Sequence, residues 1–258
     1  MSDSGTGGGE LLALRGVSKR YRRGSQELCV LRDVSLTIRA GELVCVLGTR
    51  GQGKTTLLRI AAGMESADAG AVRFAGRELA GLSDAELSRL LGTQIAWAGR
   101  SGPGMRMRML DYVATPLLVG RGRGGDVERR ARAALERVGA SDCAEAGWET
   151  ISDWERALVE LAQAIAGDPA LLLIDDVTDM LGVRETDEFV GLLRSLTRES
   201  QLAVLMSASN PQATLLADRI ASLAAGTLTE GPPPGEGVVI EFPGSGPGRR
   251  EAGHGIIS

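Results

Sequence analysis

Hydrophobic and polar residues follow two different spacings along this chain. Continuous apolar runs, typical of strands that are buried on both faces, occur at residues 42–48 and 171–174. Helical spacing occurs at residues 126–139, where the arginines fall on the outer, solvated face. Because strands alternate with helices over much of the chain, we expect an α/β fold with a mostly parallel sheet.

Eight segments carry the pattern of strands, and the first two are expected to form an antiparallel ribbon. They are residues 11–17, 29–38, 42–48, 71–79, 93–99, 171–175, 201–208 and 219–226. Helices are expected after residue 48, through much of residues 107–166, and near residues 185–198. A helical subdomain, at about residues 100–155, is therefore predicted as an insertion into the sheet.

The two ends of the chain differ from the rest in composition. Residues 1–10 and 231–258 are rich in glycine and proline and are expected to be flexible tails. Within the second tail, "VVIEF" at residues 238–242 could add a strand. A single domain is expected over residues 11–230.

Composition excludes several kinds of function. The net charge of −4 argues against a general nucleic-acid binder, and no apolar run approaches the length of a membrane span. The only histidine is His254, in the second tail, so serine or cysteine catalysis with histidine and histidine-ligated metal sites are all improbable. Three cysteines without a C-x-x-C motif favour a reducing compartment and no zinc site.

The strongest motif is "GTRGQGKTT" at residues 48–56, which matches G-x-x-x-x-G-K-[ST] between a buried strand and a helix. Backbone N–H groups of such a loop surround phosphates, Lys54 supplies a charge for the β- and γ-phosphates, and the Thr55 hydroxyl reaches Mg²⁺. The motif therefore predicts that the chain binds a nucleoside triphosphate. The candidate phosphate-binding residues are Gly48, Thr49, Arg50, Gly51, Gln52, Gly53, Lys54, Thr55 and Thr56.

Two carboxylates follow the apolar run at residues 171–174. Asp175 lies where parallel strands present their carboxyl ends to ligands, so it is the candidate Mg²⁺ ligand beside Thr55. Asp176 is the candidate general base. A guanine-specific N-K-x-D motif is impossible, because the only asparagine, Asn210, is followed by Pro211. These motifs predict a P-loop NTPase core.

From about residue 11 to 231, the chain resembles the nucleotide-binding subunit of an ABC transporter. The resemblance is carried by "VSKRY", the long stretch at residues 30–63, "LAQAIAGDPALLLIDD" and "LADRIASLAAGTLTEG". The stretch "MLDYVATPLLVGRG" resembles the branch that serves lipoprotein release and macrolide export. The family implies ATP and Mg²⁺, Tyr21 stacked on adenine, a membrane permease as partner, and a cytoplasmic location on the inner face of the membrane.

The signature motif of that family departs from its usual sequence here. In place of Leu-Ser-Gly-Gly-Gln, the chain has "ISDWE" at residues 151–155. The family implies that this helix start approaches the γ-phosphate held by a second subunit. Trp154 would obstruct that approach, and Asp153 would repel the phosphate by about 4 kcal/mol at 4 Å and an effective dielectric near 20.

A purely structural interpretation of the same residues is favoured. Ser152 and Glu155 have the spacing of a capping box, which begins a helix and neutralises its dipole. Trp154 then belongs to an apolar stripe with residues 158, 161 and 165.

Three further positions of the family's site are changed. Arg100 stands where the family has the glutamine that senses Mg²⁺ and water, Ser209 where it has the switch histidine, and Asp176 where it has the catalytic glutamate. The aspartate is shorter by one methylene, and a displacement near 1 Å can lower a rate by about 10²-fold. We therefore expect Asp176 to be a weak base and hydrolysis by the chain alone to be very slow.

Three interpretations follow. The chain is an ATP-binding subunit that pairs with a second, more complete ABC ATPase beneath a permease, or a nucleotide-responsive regulatory or scaffold subunit, or a soluble ABC ATPase of DNA repair or translation. The third is disfavoured because such proteins usually carry tandem cassettes or long coiled-coil, zinc or basic insertions. In a head-to-tail dimer, neither ATP site that includes this chain would have the full set of motifs.

Overall fold

A computed structural model describes residues 9–24, 26–100, 102–119 and 124–231. Most of both predicted tails, including residues 238–242, lies outside the described residues. The strands in chain order are β1 (Glu10–Arg23), β2 (Gln26–Arg39), β3 (Leu43–Leu47), β4 (Ala69–Phe74), β5 (Arg77–Glu78), β6 (Ile95–Ala98), β7 (Leu171–Ile174), β8 (Ala203–Ala208), β9 (Arg219–Ala224) and β10 (Thr227–Gly231). The helices are α1 (Lys54–Ala61), α2 (Asp84–Thr93), α3 (Met109–Val119), α4 (Gly124–Arg137), α5 (Asp153–Ile165) and α6 (Val183–Ser200).

The larger sheet has six strands in the order β10-β9-β3-β8-β7-β6, all parallel except β10. The β3 register pairs Val44 with Leu205 of β8 and with Arg219 of β9. All five residues of β3 are buried, because alternate side chains enter different cores. Leu43 and Cys45 pack with the cluster around α3 to α6, whereas Val44 packs with α1 and the smaller sheet. The prediction of a mostly parallel α/β sheet is confirmed.

The smaller sheet is antiparallel, in the order β2-β1-β4-β5, and confirms the predicted antiparallel subdomain. The prediction of one strand over residues 71–79 is wrong. Ala75 and Gly76 both have positive φ, of 48° and 77°, so the chain turns between β4 and β5. Helix α2 was not predicted from the sequence, although Ser83 and Glu86 form a capping box at its start.

Between β6 and β7, the chain contains α3, α4 and α5, and these three helices pack against one another. The predicted helical stretch at 107–166 is thus three helices, with two short 3-10 turns, Ser141–Cys143 and Trp148–Thr150, before α5. Among the residues that the structure describes, no helix combines the length and the hydropathy that crossing a membrane requires.

Candidate functional site

The loop at residues 48–53 leaves the carboxyl end of β3 and leads directly into α1. Gly53, the residue before the helix, has φ 97°, and a Cβ there would lie 2.7 Å from Val30 Cγ1. A Cβ at Gly48 would lie 2.6 Å from the carbonyl oxygen of Leu223. Close neighbours therefore require glycine at both positions, and the left-handed backbone adds a second reason at Gly53.

Lys54 is the first residue of α1 and is only 3% exposed. Its Nζ donates to the carbonyl oxygen of Gly48 at 2.9 Å and to Ser209 Oγ at 3.0 Å. It also lies 3.4 Å from Asp176 Oδ1. The fold thus brings together the predicted P-loop lysine, the residue at the switch-histidine position and the candidate base.

The two carboxylates after β7 have different partners. Thr55 Oγ1 donates to Asp175 Oδ1 at 3.0 Å, and Ser207 Oγ lies 3.0 Å from the same oxygen. A hydroxyl and a carboxylate are the oxygen donors that Mg²⁺ prefers, so Thr55 and Asp175 fit the predicted metal site.

Asp176 has a left-handed backbone, with φ 50°, and begins a 3-10 turn, Val177–Met180. Its N–H donates to Ser207 Oγ at 3.0 Å, and its Oδ1 lies 3.2 Å from that hydroxyl. Burial raises the pKa of Asp176, and Lys54 opposes that shift. The carboxylate is therefore a base in a partly dry site, already paired with the lysine.

These groups open onto a cavity of about 380 Å³, which is within the usual range for small-molecule sites. Most of the lining residues were predicted from the sequence. The lining consists of Tyr21, Val30, Arg50, Gly51, Gly53, Lys54, Thr55, Thr56, Arg100 and Asp176. The P-loop, the candidate adenine-stacking residue and the residue at the glutamine position thus share one space.

Tyr21 lies at the edge of this cavity and is 38% exposed. Its hydroxyl lies 3.2 Å from Thr56 Oγ1 and donates to Glu65, while Lys19 Nζ lies 5.5 Å from the ring centroid. Burial raises the pKa of Tyr21, and the hydrogen bond to Glu65 is the second largest cause of this increase. The ring is thereby held beside the P-loop.

The signature-position residues lie away from this cavity, at the start of α5. Ser152 Oγ accepts from the N–H of Glu155 at 3.2 Å, and Glu155 Oε2 accepts from the N–H of Ser152 at 2.8 Å. The predicted capping box is therefore present. The N–H and the hydroxyl of Ser152 both donate to the carboxylate of Glu155 and lower its pKa.

Trp154 is half-buried and packs against the large core, as the structural interpretation predicts. The charge of Asp153 is not isolated, contrary to the expectation from the sequence. Arg156 Nη1 lies 2.9 Å from Asp153 Oδ1, and the same guanidinium donates to the carbonyl oxygen of Trp148 at 3.2 Å. The repulsion that Asp153 exerts on a phosphate is therefore weaker than expected for a free carboxylate.

Sequence reasoning missed three residues that organise the site. Ser207 bridges both carboxylates, Glu65 holds Tyr21, and Asp179 lies 3.6 Å from Arg50. Only Ser207 could have been recognised from the sequence. It is a polar residue near the carboxyl end of the apolar strand β8, which lies beside β7, the strand that Asp175 follows. Nothing local to Glu65 or Asp179 indicated their partners.

The profile of one protein family, described as ABC transporter, matches residues 31–179, more than half of the chain. The chain belongs to the ABC transporter family. It is 33% identical to the lipoprotein-releasing system ATP-binding protein LolD of Chromohalobacter salexigens over 221 residues, which are 85% of this chain and 93% of that protein. It is also 33% identical to the macrolide export ATP-binding/permease protein MacB 1/2 of Paracoccus denitrificans, over 86% of this chain and 33% of that protein. The predicted branch is thus confirmed.

A solved structure of an ATP-binding cassette, a dimer in a post-hydrolysis state bound to ADP and Pi, superposes on this chain with a TM-score of 0.79. The two chains are 25% identical, and the match covers 85% of this chain and 97% of the other. ABC transporter cassettes bind ATP, usually with Mg²⁺, so the family membership agrees with the nucleotide predicted from the P-loop.

Proposed function

We propose that residues 11–230 form a single ATP-binding cassette that binds Mg-ATP, hydrolyses it slowly on its own, and pairs with a different ATPase subunit beneath a membrane permease. The observation that carries this proposal is the cluster around Lys54. A buried ammonium group at a helix N-terminus lies beside a hydroxyl–carboxylate pair that is suited to Mg²⁺.

In the bound state, Thr55 and Asp175 would hold Mg²⁺, which would neutralise charge on the phosphates. Lys54 would exchange its hydrogen bonds to loop carbonyls for bonds to the β- and γ-phosphates. Tyr21, whose hydroxyl is already anchored, would offer its ring to adenine. Ser209 touches Lys54 and would therefore lie near the γ-phosphate.

Slow hydrolysis follows from two positions. Asp176 is one methylene shorter than glutamate, and its carboxylate is paired with Lys54 at 3.4 Å, so it is poorly placed to reach an attacking water. Ser209 has no imidazole with which to orient that water. We therefore expect a turnover far below 1 s⁻¹, the lower end of the typical range for enzymes.

Steady-state phosphate release from the isolated chain tests the proposed slowness. Asp176→Glu should raise the rate by less than about tenfold, because Ser209 and the altered signature remain. Asp176→Asn serves as the matched control, since it removes the charge and keeps the shape. A wild-type rate of about 1 s⁻¹ or more that Asp176→Asn abolishes would contradict the proposal.

Unlike subunits are favoured because the start of α5 is closed by its own cap. Two copies of this chain would present Asp153 and Trp154 to each other's nucleotide. A partner with serine and glycine at an open helix N-terminus would instead add N–H donors and a favourable dipole. ATP would then stabilise the unlike pair through its higher affinity for the closed state.

The permease is proposed from the relatives, since the name of the MacB relative includes a permease. On this basis the chain is a peripheral subunit at the cytoplasmic face of the membrane. Purification of the tagged chain from its native membranes, followed by identification of the bound proteins, tests both partners. Size-exclusion chromatography with Mg-ATP adds a second test, and a stable homodimer without any other protein would contradict the pairing.

In the pair, Asp153→Gly with Trp154→Gly should raise hydrolysis at the partner's P-loop and leave ATP affinity at Lys54 nearly unchanged. If Trp154 acts only as a core residue, the double substitution will destabilise α5. It will then lower both the hydrolysis at the partner's P-loop and the ATP affinity at Lys54.

A further inference from the structure

Arg100 occupies a boundary between two cavities. Ala98, the last residue of β6, pairs with Ile174 of β7, and its carbonyl oxygen accepts from the N–H of Asp175 at 3.0 Å. The chain therefore leaves the sheet beside the two carboxylates, and Arg100 lines the phosphate cavity together with Lys54. Arg100 also lines a smaller cavity of about 140 Å³ that reaches the start of α5.

The lining of the phosphate cavity is strongly cationic. Its charged side chains are Arg50, Lys54, Arg100 and Asp176. Asp175 and Asp179 lie next to this lining, at 3.0 Å from Thr55 Oγ1 and 3.6 Å from Arg50. The lining therefore presents mainly positive charge to the phosphates of a bound nucleotide.

The three cations of this lining differ in how much of their charge is already paired. Lys54 lies beside Asp176, and Arg50 lies 3.6 Å from Asp179. Within the described ranges, Arg100 has no carboxylate at salt-bridge distance. Its guanidinium is therefore the cation most available to a phosphate.

The acidic groups of the smaller cavity do not compete strongly for Arg100. Asp153 is paired with Arg156 at 2.9 Å. Glu160 is buried and accepts from the N–H of Gly102 at 2.8 Å and from the hydroxyl of Tyr112 at 3.1 Å. The first of these hydrogen bonds holds the backbone of Gly102, two residues after Arg100.

We propose that Arg100 supplies a fixed positive charge to the phosphates, so that this chain binds ATP or ADP without a divalent metal ion. The inference rests on the proposed nucleotide site. A guanidinium can donate two parallel hydrogen bonds to a phosphate, and it remains charged at every relevant pH. It thus performs the neutralising role of the ion, although Thr55 and Asp175 can still bind Mg²⁺ when it is present.

Titration of a fluorescent ATP analogue into the full chain, in excess Mg²⁺ and in excess EDTA, tests the inference. We expect the wild-type affinity to differ less than about threefold between the two conditions. Arg100→Gln should lose about tenfold or more in EDTA, the effect of one charge-assisted hydrogen bond, and much less in Mg²⁺. Arg100→Lys keeps the charge and should retain part of the binding in EDTA.

Arg106→Gln is the matched control, because Arg106 lies in the same connecting segment and does not line the phosphate cavity. It should bind like the wild type in both conditions. Wild-type binding that requires Mg²⁺ would overturn the inference and leave the nucleotide site intact. EDTA binding that survives Arg100→Gln and is lost in Arg50→Ser would overturn the assignment to Arg100. Absence of binding in both conditions would instead refute the proposed function.

Discussion

Two helix N-termini in this protein have opposite chemistry. α1 begins after Gly53 with no side-chain cap and no acidic residue in its first turn. α5 begins with a complete capping box at Ser152 and has Asp153 and Glu155 in its first turn. Both starts have the positive end of a helix dipole, but only α1 leaves its N–H groups and its charge available to an anion.

The comparison shows that a helix start becomes an anion site only when its own side chains leave it open. The capping box of α5 satisfies donors that the family's glycine-rich signature would leave free for a nucleotide. Trp154 adds a packing role, since it covers part of the large core. We therefore propose that the open start of α1 binds the nucleotide, whereas the closed start of α5 stabilises the fold.

The largest expected effect lies at the open end. Lys54→Ala should lower the affinity for ATP at least about hundredfold, because it removes the buried cation of the phosphate-binding loop and leaves Asp176 without its lysine partner. Isothermal titration calorimetry measures the loss of ATP affinity. Arg59→Ala, which removes one exposed charge from the same helix, is the matched control and should bind normally. Equal ATP affinities for Lys54→Ala and Arg59→Ala would mean that the start of α1 does not bind the nucleotide.

At the closed end, Trp154→Ala should lower the free energy of unfolding by about 2 kcal/mol, less than a fully buried tryptophan would lose. Urea denaturation measures this change. The ATP affinity of the folded variant should stay the same, because Trp154 does not line the phosphate cavity. A variant with full stability and altered ATP affinity would mean that Trp154 acts on the nucleotide.

Ser152→Ala should lower the free energy of unfolding by about 1 kcal/mol, the usual effect of losing a helix cap. Ser83→Ala at the start of α2 is a matched substitution, because both serines belong to capping boxes with a glutamate three residues later. We expect similar losses in urea denaturation. No loss at Ser152 alongside a loss at Ser83 would show that the α5 cap has no structural role.

The smallest effect concerns Glu160, behind the closed end. Burial raises the pKa of Glu160 above the ordinary glutamate value of 4.5. The folded protein therefore binds this proton more tightly than the unfolded chain, and the associated stability is present below pH 4.5 and is lost as the pH rises through the raised pKa.

Glu160→Gln keeps both acceptor contacts of the side chain and cannot ionise. It should therefore flatten the pH dependence and change stability by less than about 1 kcal/mol at neutral pH. Urea denaturation at a series of pH values checks this expectation. A clear loss of stability at neutral pH would mean that the ionised carboxylate stabilises the fold.

Much of the fold and part of the site could be predicted from short sequence patterns. The buried run at residues 42–48 predicted a central strand, and β3 is fully buried at Leu43–Leu47. The spacing of Ser152 and Glu155 predicted the capping box. The prediction of a single strand over residues 71–79 was wrong because Ala75 adopts a positive φ. This conformation is uncommon for alanine, so the sequence gives no sign of it.

By itself, the sequence determined the features whose partners are neighbours in the chain. The loop at residues 48–53 leads directly into α1, as the motif predicts, and the α5 cap joins residues three apart, so local geometry was sufficient for both. Only the tertiary structure decided the contacts of Lys54 with Ser209, 155 residues away, and of Thr55 with Asp175, 120 residues away. The physical reason is that the strand order β9-β3-β8-β7 places these strand ends side by side, and this order depends on the packing of both cores.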